Sequence, residues 1–517
     1  MGCSLKRDDE ILALHEEDLM KYKSFNENTY NDRNELTVWL IIFGGSCGMF
    51  LLGREWSLMT NYELWQWTFF SFAVLFPIVV FAFKLIGFKK ARISVPLMLF
   101  GVFLCVCMDP LKYYWMGGRI RSPRGFPEPS HEAFSDVGFL VSLFCFMALL
   151  VITLKPGKKK SALKTIKGPQ TIKQVLISAV VLFVIGLIPF LLLGGDSVSL
   201  SSITEAVSRG RSGGGLQFET TNSASSTAHI LVLANATVVS GVLAGYGLIA
   251  FSGKRNTKVF LFVLFIASLL FVASGGGRTR VGFVLFPLII LLYLKLINLK
   301  QNKYIWLVGC FVVFTLILMI IQLRYRDQGW QQIGQDYNVS QSGYSNDLCT
   351  ELAVIVSHYP EQEYFLGGDN IFERTVYPIP KFLYFFVANP IPRILWSGKP
   401  ESPSWAKYNY LRTGSTAEDQ GSTVTATVMG RFYMEYGIPG VIEIGLLMGF
   451  LWRLVDKAII NHEWNSFAVL ISCMFSYYLL QSTRDLWPGW LYPVLFLILY
   501  GIGIDIYNRK HGRCYIY

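Results

Sequence analysis

Charge is what this sequence is short of. Only 16% of its 517 residues are Asp, Glu, Lys or Arg, against about 25% in an ordinary soluble chain. That poverty excludes a disordered polyelectrolyte, which needs high charge and few apolar residues. Histidine is scarce too, with six in the chain. Those expected on the outer side (His131, His229 and His358) are too scattered for a metal triad. No Cys-x-x-Cys pair occurs. Cys47, Cys105, Cys107, Cys145, Cys310 and Cys473 lie inside apolar runs, and Cys3 and Cys514 near the ends. Cys349 alone falls in a long polar stretch, so no external disulfide framework is expected. The first 36 residues lack the basic-then-apolar pattern of a signal peptide and are expected to be cytoplasmic. Met1-Gly2-Cys3 does not continue to Ser or Thr at position 6, where Lys6 stands, so myristoylation is not expected.

Apolar sequence is what remains. It makes up 52% of the chain, with a mean hydropathy of +0.41, in runs too long for a soluble core. A bilayer span needs about 20 mostly apolar residues. The runs predict twelve spans near 37–53, 66–86, 93–108, 136–154, 175–195, 228–251, 259–275, 281–297, 305–322, 437–454, 466–482 and 490–506. The expected fold class is an all-α polytopic integral membrane protein of about 12 transmembrane helices with a large external loop. Residues 1–36 form an N-terminal segment, 37–322 a nine-helix bundle and 323–436 the external loop subdomain. Three C-terminal helices (437–506) and a tail (507–517) complete it. The net charge of +11 does not point to nucleic acid, because the lysines sit in short loops between apolar runs. Those loops (84–92, 155–174, 252–258, 295–303 and 453–465) alternate along the chain, so the positive-inside rule places them and both termini in the cytoplasm.

The type of cation changes across the membrane. The predicted inner side carries 20 Lys and 7 Arg, the outer side 4 Lys and 15 Arg. The positive-inside rule counts both types together and does not account for the switch. Arginine offers a planar fork that grips phosphate bidentately, whereas lysine is a hydrated point charge. An arginine-rich outer face therefore points to an anionic phosphate ligand there. The competing reading pairs these arginines with outer acids such as Asp327, Glu361, Glu373 and Asp419. Gly275-Gly276-Gly277-Arg278-Thr279-Arg280 is expected to be an outer turn before a helix beginning near Val281, with free N–H groups facing an anion. Arg324 and Arg326 close the span before the large loop. Arg209 and Arg211 lie in a Gly/Ser-rich outer stretch. The large loop interleaves aromatics, among them Trp396, Trp405 and Tyr408, with Asp, Asn, Gln and Ser. This composition suits sugar binding as well as it suits an aromatic core.

Two runs in that loop carry more than composition. One is Asn389-Pro-Ile-Pro-Arg393-Ile-Leu-Trp396-Ser-Gly-Lys399-Pro400; the other is Gly430-Arg431-Phe-Tyr-Met-Glu435-Tyr-Gly437-Ile-Pro-Gly440. Together they resemble the bacterial O-antigen polymerases, or oligosaccharide repeat-unit polymerases, and the glycine–arginine turn at 275–280 is similar to one in that family. The related O-antigen ligases carry a His-Asn pair some two turns before the glutamate. Thr425-Ala426-Thr427 stands there instead, which favours a polymerase.

The resemblance implies a GT-C-like membrane glycosyltransferase in the bacterial inner membrane. Polyprenyl-pyrophosphate-linked oligosaccharides would be donor and acceptor, and a chain-length regulator a possible partner. Arg278, Arg280, Arg324 and Arg326 would clamp the leaving pyrophosphate, with Arg393 and Lys399 contributing from the loop. Glu435 is the first candidate general base and Glu401 the second. Trp396, Trp405 and Tyr408 would hold sugar. No metal or other cofactor is expected, arginine taking the place of a divalent ion. A transporter or flippase of lipid-linked glycan is the alternative from another class. Arg431 and Glu435, spaced i and i+4, are also candidates to pair on one helix face.

Overall fold

The computed structural model describes residues 93–107, 131–153, 166–193, 232–274, 278–299, parts of 309–317, 348–358, residue 408, 427–486 and 488–511. Among the described residues every regular element is a helix. In chain order these are α1 (Ser94–Val102, continued by a π-helical turn Phe103–Cys107), α2 (His131–Thr153), α3 (Ile172–Leu193), α4 (Asn235–Ala250), α5 (Arg255–Ser274) and α6 (Arg278–Leu299). Then come α7 (Leu348–His358), α8 (Val428–Tyr436), α9 (Ile438–Asn461), α10 (Phe467–Ser482) and α11 (Tyr492–Lys510). The predicted spans 37–53 and 66–86 lie outside the described residues, as does most of 305–322.

Among the described residues, four stretches are long and apolar enough to cross a membrane: Ile172–Pro189, Arg255–Ala273, Thr279–Leu296 and Ile438–Asn461. Helix is the expected form, because hydrocarbon offers backbone N–H and C=O groups no partner outside the segment. Pro189 in α3 and Pro287 in α6 interrupt neither helix. On α5, Val259, Phe260, Phe262 and Val263 are more than half exposed. This apolar face has the character of a lipid-facing surface. By contrast, α4 is buried from Asn235 to Gly247 and forms the centre of the bundle.

Small residues let the helices approach closely, as is usual where lipid supplies no hydrophobic drive for association. Gly241 and Gly245, four apart on α4, face Val284 and Leu288 of α6. Gly445 and Gly449 do the same on α9 against α2. A Cβ at Gly445 would sit 3.0 Å from the Phe144 carbonyl oxygen, and one at Gly449 would run into that of Ala148.

One end of the bundle is tied by carboxylates and amides from distant segments. Helix α1 has no N-cap side chain of its own. Asp456 of α9 supplies it, accepting from the Ile93 and Ser94 N–H groups at 3.1 and 3.2 Å and from the Ser94 hydroxyl. Asp505 of α11 accepts from the N–H groups of Lys167 and Gly168 at 3.0 and 3.1 Å. Gln174 donates to Asn508 at 2.8 Å. Tyr246 donates to the Asn465 carbonyl, and Lys295 to that of Ile249 at 2.7 Å. Segments near 93, 168, 250, 295, 456, 465 and 505 thus share one end, and these belong to the loops and helix ends that charge grouped together in the sequence.

Several boundaries differ from expectation by a turn or so, and those of α6 and α9 move charged residues onto helices. Helix α6 begins at Arg278, so the two arginines occupy its first turn rather than a preceding loop. The physical reason is that first-turn N–H groups need no intrahelical partner, so the helix extends back to the glycines without loss. Helix α9 runs on to Asn461, so Arg453 and Lys457 ride on its last turns instead of a loop.

Replacing Gly449 with Ala is expected to cost about 1–3 kcal/mol, because the new methyl meets backbone rather than a yielding side chain. Gly503→Ala, facing open space on α11, should be neutral or slightly stabilising. Reversible unfolding in mixed micelles measures both.

Candidate functional site

The opposite end of the bundle gathers the motifs. Helix α8 starts at Thr427, whose Oγ1 accepts from the Gly430 N–H at 3.0 Å. Thr427 has φ 49° and ψ 159°, the one positive φ at a non-glycine among the described residues. Such a conformation is strained and persists where the surroundings over-determine it. The helix ends at Gly437, with φ 65° and ψ −147°, whose N–H donates to the Tyr433 carbonyl at 2.8 Å. That backbone conformation is open to glycine and closed to residues with a side chain. Pro439, lacking an N–H, cannot continue α8 but fits the first turn of α9. A Cβ at Gly440 would run into the Phe432 carbonyl oxygen. The run 430–440 is therefore helix, break and helix, with α8 folded closely onto the start of α9.

Arg431 sits on α8 with 8% of its surface exposed, and Asp485, just past the end of α10, with 4%. Arg431 Nη1 lies 3.3 Å from Asp485 Oδ1. The Val428 N–H donates to the Thr483 carbonyl at 3.3 Å. The Tyr478 ring is buried on the same helix, within electrostatic reach of both charges. The structure thus gives Arg431 a carboxylate from a distant segment; the side chain of Glu435, which the sequence spacing offers as another partner, lies outside the described residues. Glu435 lies one turn further along α8.

Helix α6 reaches the same abutment from the other side. Gly282, in its second turn, leaves room for the Tyr477 hydroxyl, which a Cβ there would strike. Tyr477 packs edge-on to Phe283 with ring centroids 4.8 Å apart, and Gln481 donates to its hydroxyl at 3.0 Å. Beyond this contact α6 presents Arg278 and Arg280 at its N-terminal turn, which contains no acidic residue. Cations there oppose the helix dipole and add nothing to helix stability. Arg280 already engages a partner within the protein.

The stretch read as one polar loop contains α7, an apolar helix buried from Leu348 to Val356. It packs against α2 and α8, with Ile355 filling the space beside Gly430. Tyr408, expected among the sugar-binding aromatics, is fully buried. Its hydroxyl donates to the carboxylate of Glu351, itself 2% exposed. Tyr408 anchors α7 within the core and presents no open ring face.

Of the other sequence candidates, Arg324, Arg326, Arg393, Lys399, Glu401, Trp396 and Trp405 lie outside the described residues, as do Arg209, Arg211 and Gly275–Gly277. Among the described residues no three His, Cys, Asp or Glu side chains come together as a metal site. Glu443, two turns into α9, has its Oε2 buried without a hydrogen-bond partner. What the sequence reading passed over is the C-terminal end of α10 and the turn after it: Tyr477, Gln481, Arg484 and Asp485. A signal was present, since an Arg-Asp pair closing an apolar run demands partners when buried. Compared with known proteins, the chain matches no protein-family model, no curated protein and no solved structure.

Asp485→Ala strands a buried guanidinium and is expected to destabilise by about 3–5 kcal/mol. Exchanging the two charges, Arg431→Asp with Asp485→Arg, should recover part of that loss in a double-mutant cycle read by unfolding.

Proposed function

We propose that this protein is a membrane glycosyltransferase. It would polymerise polyprenyl-pyrophosphate-linked oligosaccharide repeat units into O-antigen or exopolysaccharide at the outer face of the bacterial inner membrane. The observation that carries this reading is the meeting, at the end of α10, of two elements singled out independently from sequence. These are the arginine turn that opens α6 and α8, which bears Arg431 and Glu435. The finer architecture belongs to the same proposal: twelve spans in a GT-C-like arrangement, both termini cytoplasmic, and the α10 end facing outward. The clustering of the lysine-bearing loops at the opposite end supports that orientation.

The chemistry follows from charge. An acceptor-sugar hydroxyl oxygen attacks the anomeric carbon of the donor chain. The bond from that carbon to the pyrophosphate oxygen breaks, and the pyrophosphate departs with the electron pair. Arg278 and Arg280, with Arg324, Arg326, Arg393 and Lys399 from the loop side, stabilise the charge that develops on it. Glu435 takes the hydroxyl proton, with Glu401 as the second candidate. Trp396 and Trp405 hold sugar by their ring faces; Tyr408, committed to Glu351, leaves that role. The lipid bilayer holds both substrates by their polyprenyl chains, and a chain-length regulator is a compatible partner.

Reconstituted protein given lipid-linked repeats should form a ladder of glycan lengths. Transfer of unextended glycan across the vesicle, without a ladder, would establish the flippase instead. Arg278→Lys keeps the charge and loses the fork, so the ladder rate should fall tenfold or more. Glu435→Gln should abolish extension while leaving the protein folded.

A further inference from the structure

The last turn of α10 places one arginine in a position unlike the others. Arg280, Arg431 and Arg453 each engage a partner within the protein. Arg484, partly buried at the turn that ends α10, makes no ion pair or side-chain hydrogen bond among the described residues. Its sequence neighbour Asp485 is turned to Arg431 and leaves it without a carboxylate. A guanidinium partly withdrawn from water with no counter-charge is electrostatically unsatisfied.

Its position says what would satisfy it. Helices α6 and α10 run antiparallel: Gly282 near the start of one meets Tyr477 near the end of the other, while Lys295 near the end of α6 lies over Trp464, just before α10. From the Gly282–Tyr477 contact both helices continue toward the same end. Helix α6 goes back two and four residues to Arg280 and Arg278, about 3–6 Å of rise, and α10 goes on five residues to Ser482, about 8 Å, with Arg484 in the turn that follows. The N-terminal turn of α6 and the unpaired guanidinium therefore rise side by side beyond one packed contact.

We propose that Arg484 is an anion-contacting residue that joins the first turn of α6 in gripping a diphosphate ester, with Asp485 keeping Arg431 out of that role. The inference rests on the pyrophosphate-linked substrate of the proposed function and adds a residue to its binding site. The shared chemistry is a phosphate ester at the membrane face. A polyprenyl diphosphate and a phospholipid headgroup are its two sources, and the proposal commits to the first.

Binding of geranylgeranyl diphosphate to the purified full-length protein in detergent tests this, with phosphatidylglycerol as competitor and thermal unfolding as control. Arg484→Ala should weaken binding about tenfold or more. Its melting temperature should stay unchanged, because the side chain makes no polar contact among the described residues. Arg484→Lys should restore only part of the affinity. Affinity within twofold of the unchanged protein in Arg484→Ala would overturn the role of Arg484 while leaving the polymerase reading intact. Equal displacement by phosphatidylglycerol would identify a headgroup site and overturn the proposal. Absence of diphosphate binding by the unchanged protein, together with absence of a glycan ladder, would sink both readings.

Discussion

In hydrocarbon a buried carboxylate is costly unless donors or a cation meet it, and apart from Glu443 this constraint organises the described acids. Four buried acids each bind something remote in sequence. Asp456 caps α1, and Asp505 holds the segment at 167–168. Glu351 receives the Tyr408 hydroxyl, and Asp485 receives Arg431. The first two tie one end of the bundle and the last two the other. Between them the packing is apolar and close, set by glycines that bring α4 onto α6 and α9 onto α2. With so little charge available, each charged contact fixes where a helix end lies.

That arrangement separates the two ends by character. One end is satisfied within the protein: its carboxylates accept from backbone N–H groups, and Lys295 is spent on a carbonyl. The other end brings Arg431 to Asp485 and, among the described residues, leaves Arg484 without a side-chain partner. The strained Thr427 and the Gly437 break delimit α8, which packs on α9 and α7.

Much of the fold was legible because hydropathy and charge sidedness are averages over long segments. The described helices of the bundle fall on spans that the apolar runs had located. What escaped was local or remote. Helix α7 has 11 residues, too short for a span criterion, and its burial depends on Tyr408 from some fifty residues away. The partner of Arg431 lies 54 positions along the chain, beyond any periodicity. The start of α6 was placed late because three glycines read as a turn, although a helix tolerates arginines in a first turn whose N–H groups need no carbonyl. Arg484 could be counted from sequence among the outer arginines, but only the contact of Asp485 with Arg431 reveals that it lacks a partner.

The central claim is that cations at the α10 end converge on the diphosphate of a lipid-linked glycan. Electron cryo-microscopy of the protein with a bound polyprenyl diphosphate tests it most directly. The account predicts diphosphate density at that end, between the first turn of α6 and the end of α10. Density at the opposite end of the bundle, with Arg278 and Arg280 turned away to carboxylates of their own, would contradict it.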